Sequence, residues 1–276
     1  VFFEWAITRY MLRRPTTLLD GSACITGLLL GMNLPSNFPI WMIIVGALVA
    51  IGIGKMTFGG LGCNPFNPAI VGRCFLLVSF PAAMTSWPVA GQQMAYTDAV
   101  TGATPLSLMK TAIKTGDVSV LQGLPDTVDM LLGNVANGYG AGTIGEVCAL
   151  ALIAGLIWML WRRVITWHIP ITILATVFVL SGALHVANPV YAHPMAVVLS
   201  GGLMLGAIFM ATDYVTSPMT HRGQVIYAVG IGVLTVVIRN WGSYPEGMSF
   251  AILIMNAFTP LINFYVKPKR FGEVSR

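Results

Sequence analysis

Two polar strings in a strongly apolar chain hold the residues able to do chemistry. The first is Thr101-Gly102-Ala103-Thr104-Pro105-Leu106, which lies with Tyr96, Asp98 and Lys110 in the longest polar interval of the sequence. The Thr104 hydroxyl is a candidate to accept a phosphoryl group, and the small Gly102 and Ala103 beside it let a bulky substituent approach the backbone. Pro105 biases Thr104 toward an extended backbone, so the hydroxyl is expected to stay clear of a helix interior. Six small residues alone read as a plain polar loop; the surrounding chain gives the other reading its weight.

The second string is Gly62-Cys63-Asn64-Pro65-Phe66-Asn67-Pro68. Its two prolines free backbone carbonyls, and the amides of Asn64 and Asn67 offer donors and acceptors at i, i+3 spacing, which suits an uncharged, hydrogen-bonding ring. The same residues also spell a helix start with an asparagine cap and proline in the first turn. Arg73 follows inside an apolar segment, where an unpaired charge is expensive, so it needs a carboxylate, a lipid phosphate or a bound anion. Asp20, Glu146 and Asp213 are the candidate carboxylates. Asp213, at the end of an apolar run, serves either an ion path or the cap of a break.

Other chemistries are not indicated. The four histidines lack HxxxH or HExxH spacing, so no metal is expected, and no catalytic acid–base or nucleophile constellation is evident. Gly54-Lys55-Met56 has no Ser or Thr after the lysine and lacks the glycine spacing of a phosphate loop. Cys24, Cys63, Cys74 and Cys148 form no CxxC pair and read as buried thiols.

Positioning these residues falls to membrane helices. With 56% hydrophobic and 9% charged residues and a mean hydropathy of +0.78, the chain is far from the roughly 25% charged residues of soluble domains. An all-α polytopic membrane protein is expected, one domain over 1–276. Spans of ~20 residues are placed near 17–33, 39–54, 68–84, 145–161, 164–184, 195–211, 223–239 and 248–265, about eight complete crossings. Pro/Gly-rich strings at Gly59 to Pro68, Gly138 to Gly145 and Pro189 to Pro194 interrupt them, and irregular backbone at membrane depth is expected to line a cavity. An ordered loop over 85–144 is predicted to carry short helices at 106–115 and 126–133, with Asp126 and Asp129 near the start of the second. The glycine pairs Gly27/Gly31 and Gly202/Gly206 have the spacing of helix-packing faces.

Eleven Lys and Arg residues fall on one side of this topology and three (Lys110, Lys114, Arg239) on the other, with Arg73 inside a span. The positive-inside rule then places the C-terminus in the cytoplasm and the Thr104 loop outside. The net charge of +5 reflects that bias and does not imply nucleic acid. Val1 opens the sequence in what reads as the end of an apolar helix, so natural N-terminal sequence is expected to be missing. Gly46 to Pro65 resembles Gly201 to Pro218, each an apolar run ending in a polar residue and proline, as an internal repeat would leave.

Gly60 to Ala69, Ser79-Phe80-Pro81, Gly102 to Leu106, Trp167-His168-Ile169-Pro170 and Ile238 to Gly247 occur in the same order in one family, and over essentially its whole length the chain resembles it. That family comprises the D subunit of the Rnf complex and the B subunit of the sodium-pumping NADH:quinone oxidoreductase. The resemblance implies FMN held by a phosphoester to Thr104 beside Gly102 and Ala103, and a second, non-covalent flavin, riboflavin, near Asn64 and Asn67, with Arg73 in the same region. It also implies two inverted repeats like those of urea transporters, about ten helices in the full protein, and a bacterial or archaeal cell membrane. The compact Arg239 to Gly247 segment is more similar to the Rnf branch. The implied function is electron relay in a ferredoxin:NAD+ oxidoreductase that moves Na+ or H+, with Rnf subunits of the A, B, C, E and G types and the lipid bilayer as partners. A quinone-linked B subunit and a solute channel of urea-transporter type are the alternatives; covalent flavin separates the last from the others.

Overall fold

The computed structural model describes residues 1–13, 18–88, 102–133, 142–244 and 246–267, and every regular element among them is a helix. In chain order these are α1 Phe2–Ala6, α2 Ser22–Met32, α3 Ile40–Leu48, α4 Pro68–Ser79, α5 Pro81–Met84, α6 Pro105–Thr115, α7 Thr127–Leu132, α8 Ala149–Trp161, α9 His168–Ala187, α10 Pro194–Leu199, α11 Leu203–Leu205, α12 His221–Trp241 and α13 Met248–Tyr265. Single wide (π) turns extend α3 over Val49–Ile53 and α11 over Gly206–Met210.

Length sorts the apolar helices into two kinds. Four stretches, Ile40–Phe58, His168–Ala187, His221–Trp241 and Met248–Tyr265, run 18 to 21 residues and are apolar enough to cross a bilayer. At ~1.5 Å per residue they match a hydrocarbon core of roughly 30 Å. The expected spans at 39–54, 164–184 and 223–239 overlap the first three of these helices, which run two to four residues past them, and the span at 248–265 coincides with the fourth. Those at 17–33, 68–84 and 145–161 contain α2, α4 and α8, of 11, 12 and 13 residues. Such helices reach only about 16–20 Å. The expected span at 195–211 is two pieces, α10 and α11, parted at Gly201, whose φ is +67°. A left-handed backbone there is a glycine conformation, and it stops α10 after six residues.

Glycine brings the long and short helices into backbone contact. A Cβ on Gly72 of α4 would stand 2.8 Å from Ala50 Cβ and 3.0 Å from the Gly46 carbonyl, and one on Gly232 of α12 would stand 2.7 Å from Thr176 Cβ of α9. Gly202 and Gly206 are similarly enclosed, whereas Gly27 and Gly31 have no described atom within 4 Å of a built Cβ. Among the described residues, therefore, the packing face expected at Gly27/Gly31 is not formed, because α2 turns that side away from its neighbours. Cys74 is buried but Cys24 and Cys63 are exposed, against the expectation of buried thiols.

Polar contacts gather the helix ends into two groups. At one end Lys55 reaches Glu4 at 2.7 Å and Ser22 at 2.5 Å, Thr166 Oγ1 donates to Gln224 at 3.0 Å, and Thr220 Oγ1 donates to the Val266 carbonyl at 3.2 Å. At the other, Lys110 Nζ of α6 donates to the Gly242 carbonyl beyond α12 at 2.6 Å. The loop helices α6 and α7 fall where the sequence predicts them, and Asp126 caps α7 through Thr127 N. These features define a polytopic membrane protein.

Candidate functional site: two cavities on either end of a buried charged chain

Thr104 is the N-cap of α6. Its backbone is extended (φ −73°, ψ 154°), as Pro105 requires, and the buried hydroxyl accepts the Ser107 N–H at 3.2 Å. The hydroxyl thus sits at the N-terminus of an eleven-residue helix, where unpaired N–H groups and the helix dipole favour negative charge. It borders a cavity walled by Trp87, Pro125, Met130, Val147 and Leu199, with Glu146, Glu246, Ser200 and Gly201 also lining it. Gly102 donates its N–H to the Trp87 carbonyl at 3.0 Å and Ala103 continues from it into the cap, so both hold Thr104 against this wall. Thr101 lies outside the described residues.

At the second string, Asn67 caps α4: its Oδ1 accepts from Ala69 N at 3.0 Å and from Ile70 N at 3.5 Å, with Pro68 at the first helical position. The Asn67 amide also donates to the Met210 carbonyl at 3.2 Å, and Asn64 donates to Phe66 O at 3.0 Å. Both asparagines are buried and line a cavity of about 180 Å³ with Ser22, Thr26, Lys55 and Asp213. The cap reading and the cavity reading therefore hold together. Asp213 turns its carboxylate onto Thr216 Oγ1 (3.3 Å) and Val215 N (3.5 Å), capping the break after the Gly206–Met210 turn.

Arg73, 2% exposed, points the other way along α4. Its guanidinium donates to the carboxylate of Glu246 and to Asn33 Oδ1. Of the three expected partners, Glu146 is close: a Cβ on Gly202 would stand 3.1 Å from both Arg73 Nη1 and Glu146 Oε1. Asp20 instead bonds Ser22, and Asp213 bonds its own turn. Glu246, 173 residues away in sequence, is not among the expected partners. Its one signal is the Arg239 to Gly247 string, which carries an acid into a short connection between two membrane helices. Arg239, expected at a membrane surface, is 5% exposed and donates to the carbonyls of Val197 (2.7 Å) and Ser200 (2.9 Å), ending α10. The two arginines, from α4 and α12, converge on the Gly201-Gly202 break.

These features belong to a known class. The model of the NQR2, RnfD, RnfE family matches residues 1–272, and the chain belongs to that family. It is 45% identical over 267 residues to the D subunit of the Na+-translocating ferredoxin:NAD+ oxidoreductase complex of Acetobacterium woodii, covering 97% of this chain and 78% of that protein. It is 41% identical to the D subunit of the proton-translocating ferredoxin:NAD+ oxidoreductase complex of Clostridium ljungdahlii (96% and 80% covered). To the D subunit of the ion-translocating oxidoreductase complex of Stutzerimonas stutzeri it is 39% identical (97% and 80% covered).

Proposed function

We propose that this chain is the D-type membrane subunit of an ion-translocating ferredoxin:NAD+ oxidoreductase, and that FMN joined to Thr104 by a phosphoester relays electrons through it. The observation that carries the reading is the placement of Thr104: a buried hydroxyl on a cavity wall, at the N-terminus of α6. The enclosed part of that cavity is about 50 Å³, the room of a few waters, so its residues fit the phosphoryl linkage and leave the ring at the mouth. A flavin bound there supplies the redox chemistry. The chain supplies N–H groups at the start of α6 to hold the phosphate, apolar walls from Trp87, Met130 and Leu199, and two carboxylates, Glu246 bonded to Arg73 and Glu146 beside the same guanidinium.

The cavity of Asn64 and Asn67 is the proposed seat of riboflavin, since its buried amides match a neutral ring with donors and acceptors. The wide turns at Val49–Ile53 and Gly206–Met210, each followed by a break and a capped helix (α4, α12), support an inverted repeat of eight spans, in which α2, α4, α8 and the α10–α11 pair stand beside the four long helices. The basic bias supports an orientation with the Lys55 and Arg163 end in the cytoplasm of a bacterial or archaeal cell and the Thr104 loop outside. Subunits of the Rnf A, B, C, E and G types are the proposed partners, and Na+ or H+ the coupled ion.

Broken helices around a polar interior also favour a second reading, a solute channel. Flavin analysis of the purified complex separates the two: one acid-stable flavin on this subunit and one extractable flavin are expected, and none on this subunit sinks the electron-relay reading.

A further inference from the structure

The two cavities have no lining residue in common, yet one line of buried polar groups connects them. Glu246 and Glu146 line the Thr104 cavity, and Arg73 is bonded to Glu246. The same guanidinium donates to Asn33 Oδ1. Asn33, fully buried at the C-terminal end of α2, donates its own amide to the Leu29 carbonyl at 2.6 Å and approaches Met210 Sδ at 3.4 Å. The Met210 carbonyl in turn accepts from Asn67, which lines the second cavity. Every member between the cavities is at most 4% exposed.

Such a chain has little slack. α2 ends at Asn33 because the next segment is held elsewhere: Gly145 N–H donates to the Met32 carbonyl at 2.8 Å, and Glu146 follows directly on the Thr104 cavity wall. Met210 closes the wide turn Gly206–Met210 and so moves with the break that carries Asp213. Asn67 and Arg73 share one helix, six residues or about 9 Å apart along its axis. A displacement of Asn67 therefore reaches Arg73 by two routes, through α4 and through Met210 and Asn33. Losing a link strands a buried polar group and forces its neighbours to repack.

We propose that Asn33 is a positioning residue that couples the two cavities: by tying Arg73 to Met210 it makes the arrangement of the Asn64/Asn67 cavity felt at the Glu146/Glu246 wall of the Thr104 cavity. This coupling goes beyond the functional reading and stands whatever occupies either cavity.

Coupling between sites is measured as non-additivity in a double-mutant cycle. The cycle uses Asn67→Leu, Asn33→Leu and both together in the purified complex, read by amide exchange of residues 142–147 at the Thr104 cavity wall. Asn67→Leu alone is expected to raise exchange there at least about threefold, and the double variant to exchange no faster than Asn33→Leu alone. Asn33→Ser, which is smaller and puts a short hydroxyl in place of the amide that reaches Arg73 and Met210, replaces Asn33→Leu if that variant does not assemble. Unchanged exchange over 142–147 with Asn67→Leu, or independent effects that multiply in the double variant, overturns the coupling. Loss of covalent flavin bears on the functional reading only, because the exchange measurement does not use it.

Discussion

Arg73 and Glu246 pair across 173 residues of sequence, joining the second turn of α4 to the connection between α12 and α13. The arginine is 2% exposed and the carboxylate, which lines the Thr104 cavity, 13%, so the pair is held largely out of water. Breaking one side of a buried pair leaves an uncompensated charge and costs about 3–5 kcal/mol. Arg73→Met is therefore expected to lower the thermal stability of the subunit strongly. Arg73→Met with Glu246→Gln should recover part of the loss, because the Glu246 charge is then removed along with its partner and only Glu146 is left facing the site. Equal losses in the single and double variants would mean that the charges do not act as a pair.

Lys110 ties the loop helix α6 to the end of α12 through the Gly242 carbonyl. Burial, helped by Lys114, pushes its ammonium below the ordinary lysine value. The unfolded chain therefore binds the proton more readily than the folded one, and stability of this junction rises with pH from the lowered pKa up to about 10.4. Lys110→Gln keeps an N–H for the carbonyl and removes the charge. Its α6 exchange protection, corrected for intrinsic rates, should lack the rise that the unaltered protein shows; the same rise in both would exclude Lys110 as its source.

Asn67 separates cap from cavity. Asn67→Asp retains the acceptor for Ala69 N and Ile70 N and loses the donor to Met210 O, so it should weaken the proposed riboflavin seat with little effect on α4. Replacing Asn64 and Asn67 together by leucine removes both amides and the cap, the latter worth typically ~1 kcal/mol. Extractable flavin should disappear from that double variant while covalent flavin stays. Full retention of extractable flavin would leave the two residues as structural caps.

The proposed sidedness rests on the eleven-to-three bias of Lys and Arg in the sequence. Reporter fusions after Lys114 and after Lys267 are expected to report opposite sides, the first outside and the second in the cytoplasm. The same side for both would break the topology.

Much of this is legible in the sequence, for physical reasons. The asparagine–proline pair before α4 is a local signal, and the cap forms there. Helices α6 and α7 are visible from Pro105 and Asp126 at their starts. Membrane class follows from apolar content alone. What stays hidden is long-range or geometric: Glu246 as the partner of Arg73, Asn33 between Arg73 and Met210, and the burial of Arg239. No sequence spacing encodes a contact across 173 residues. Hydropathy also overstates the lengths of α2, α4 and α8, because an apolar run continues through a break that Gly, Asn or a wide turn imposes on the backbone.

The proposed attachment of FMN to Thr104 is tested most directly by a peptide map of the purified complex, assembled with its flavin transferase present, for the unaltered chain and for Thr104→Val. Valine keeps the β-branched shape and removes only the hydroxyl, so the loss of one cap bond, ~1 kcal/mol, should leave the fold intact. The peptide holding Thr104 is expected to carry the mass of FMN less one water. In-gel flavin fluorescence of the denatured subunit should vanish with Thr104→Val and persist with Thr101→Val. Flavin phosphate on another residue, or an unmodified Thr104 peptide in the fully assembled complex, would contradict the assignment.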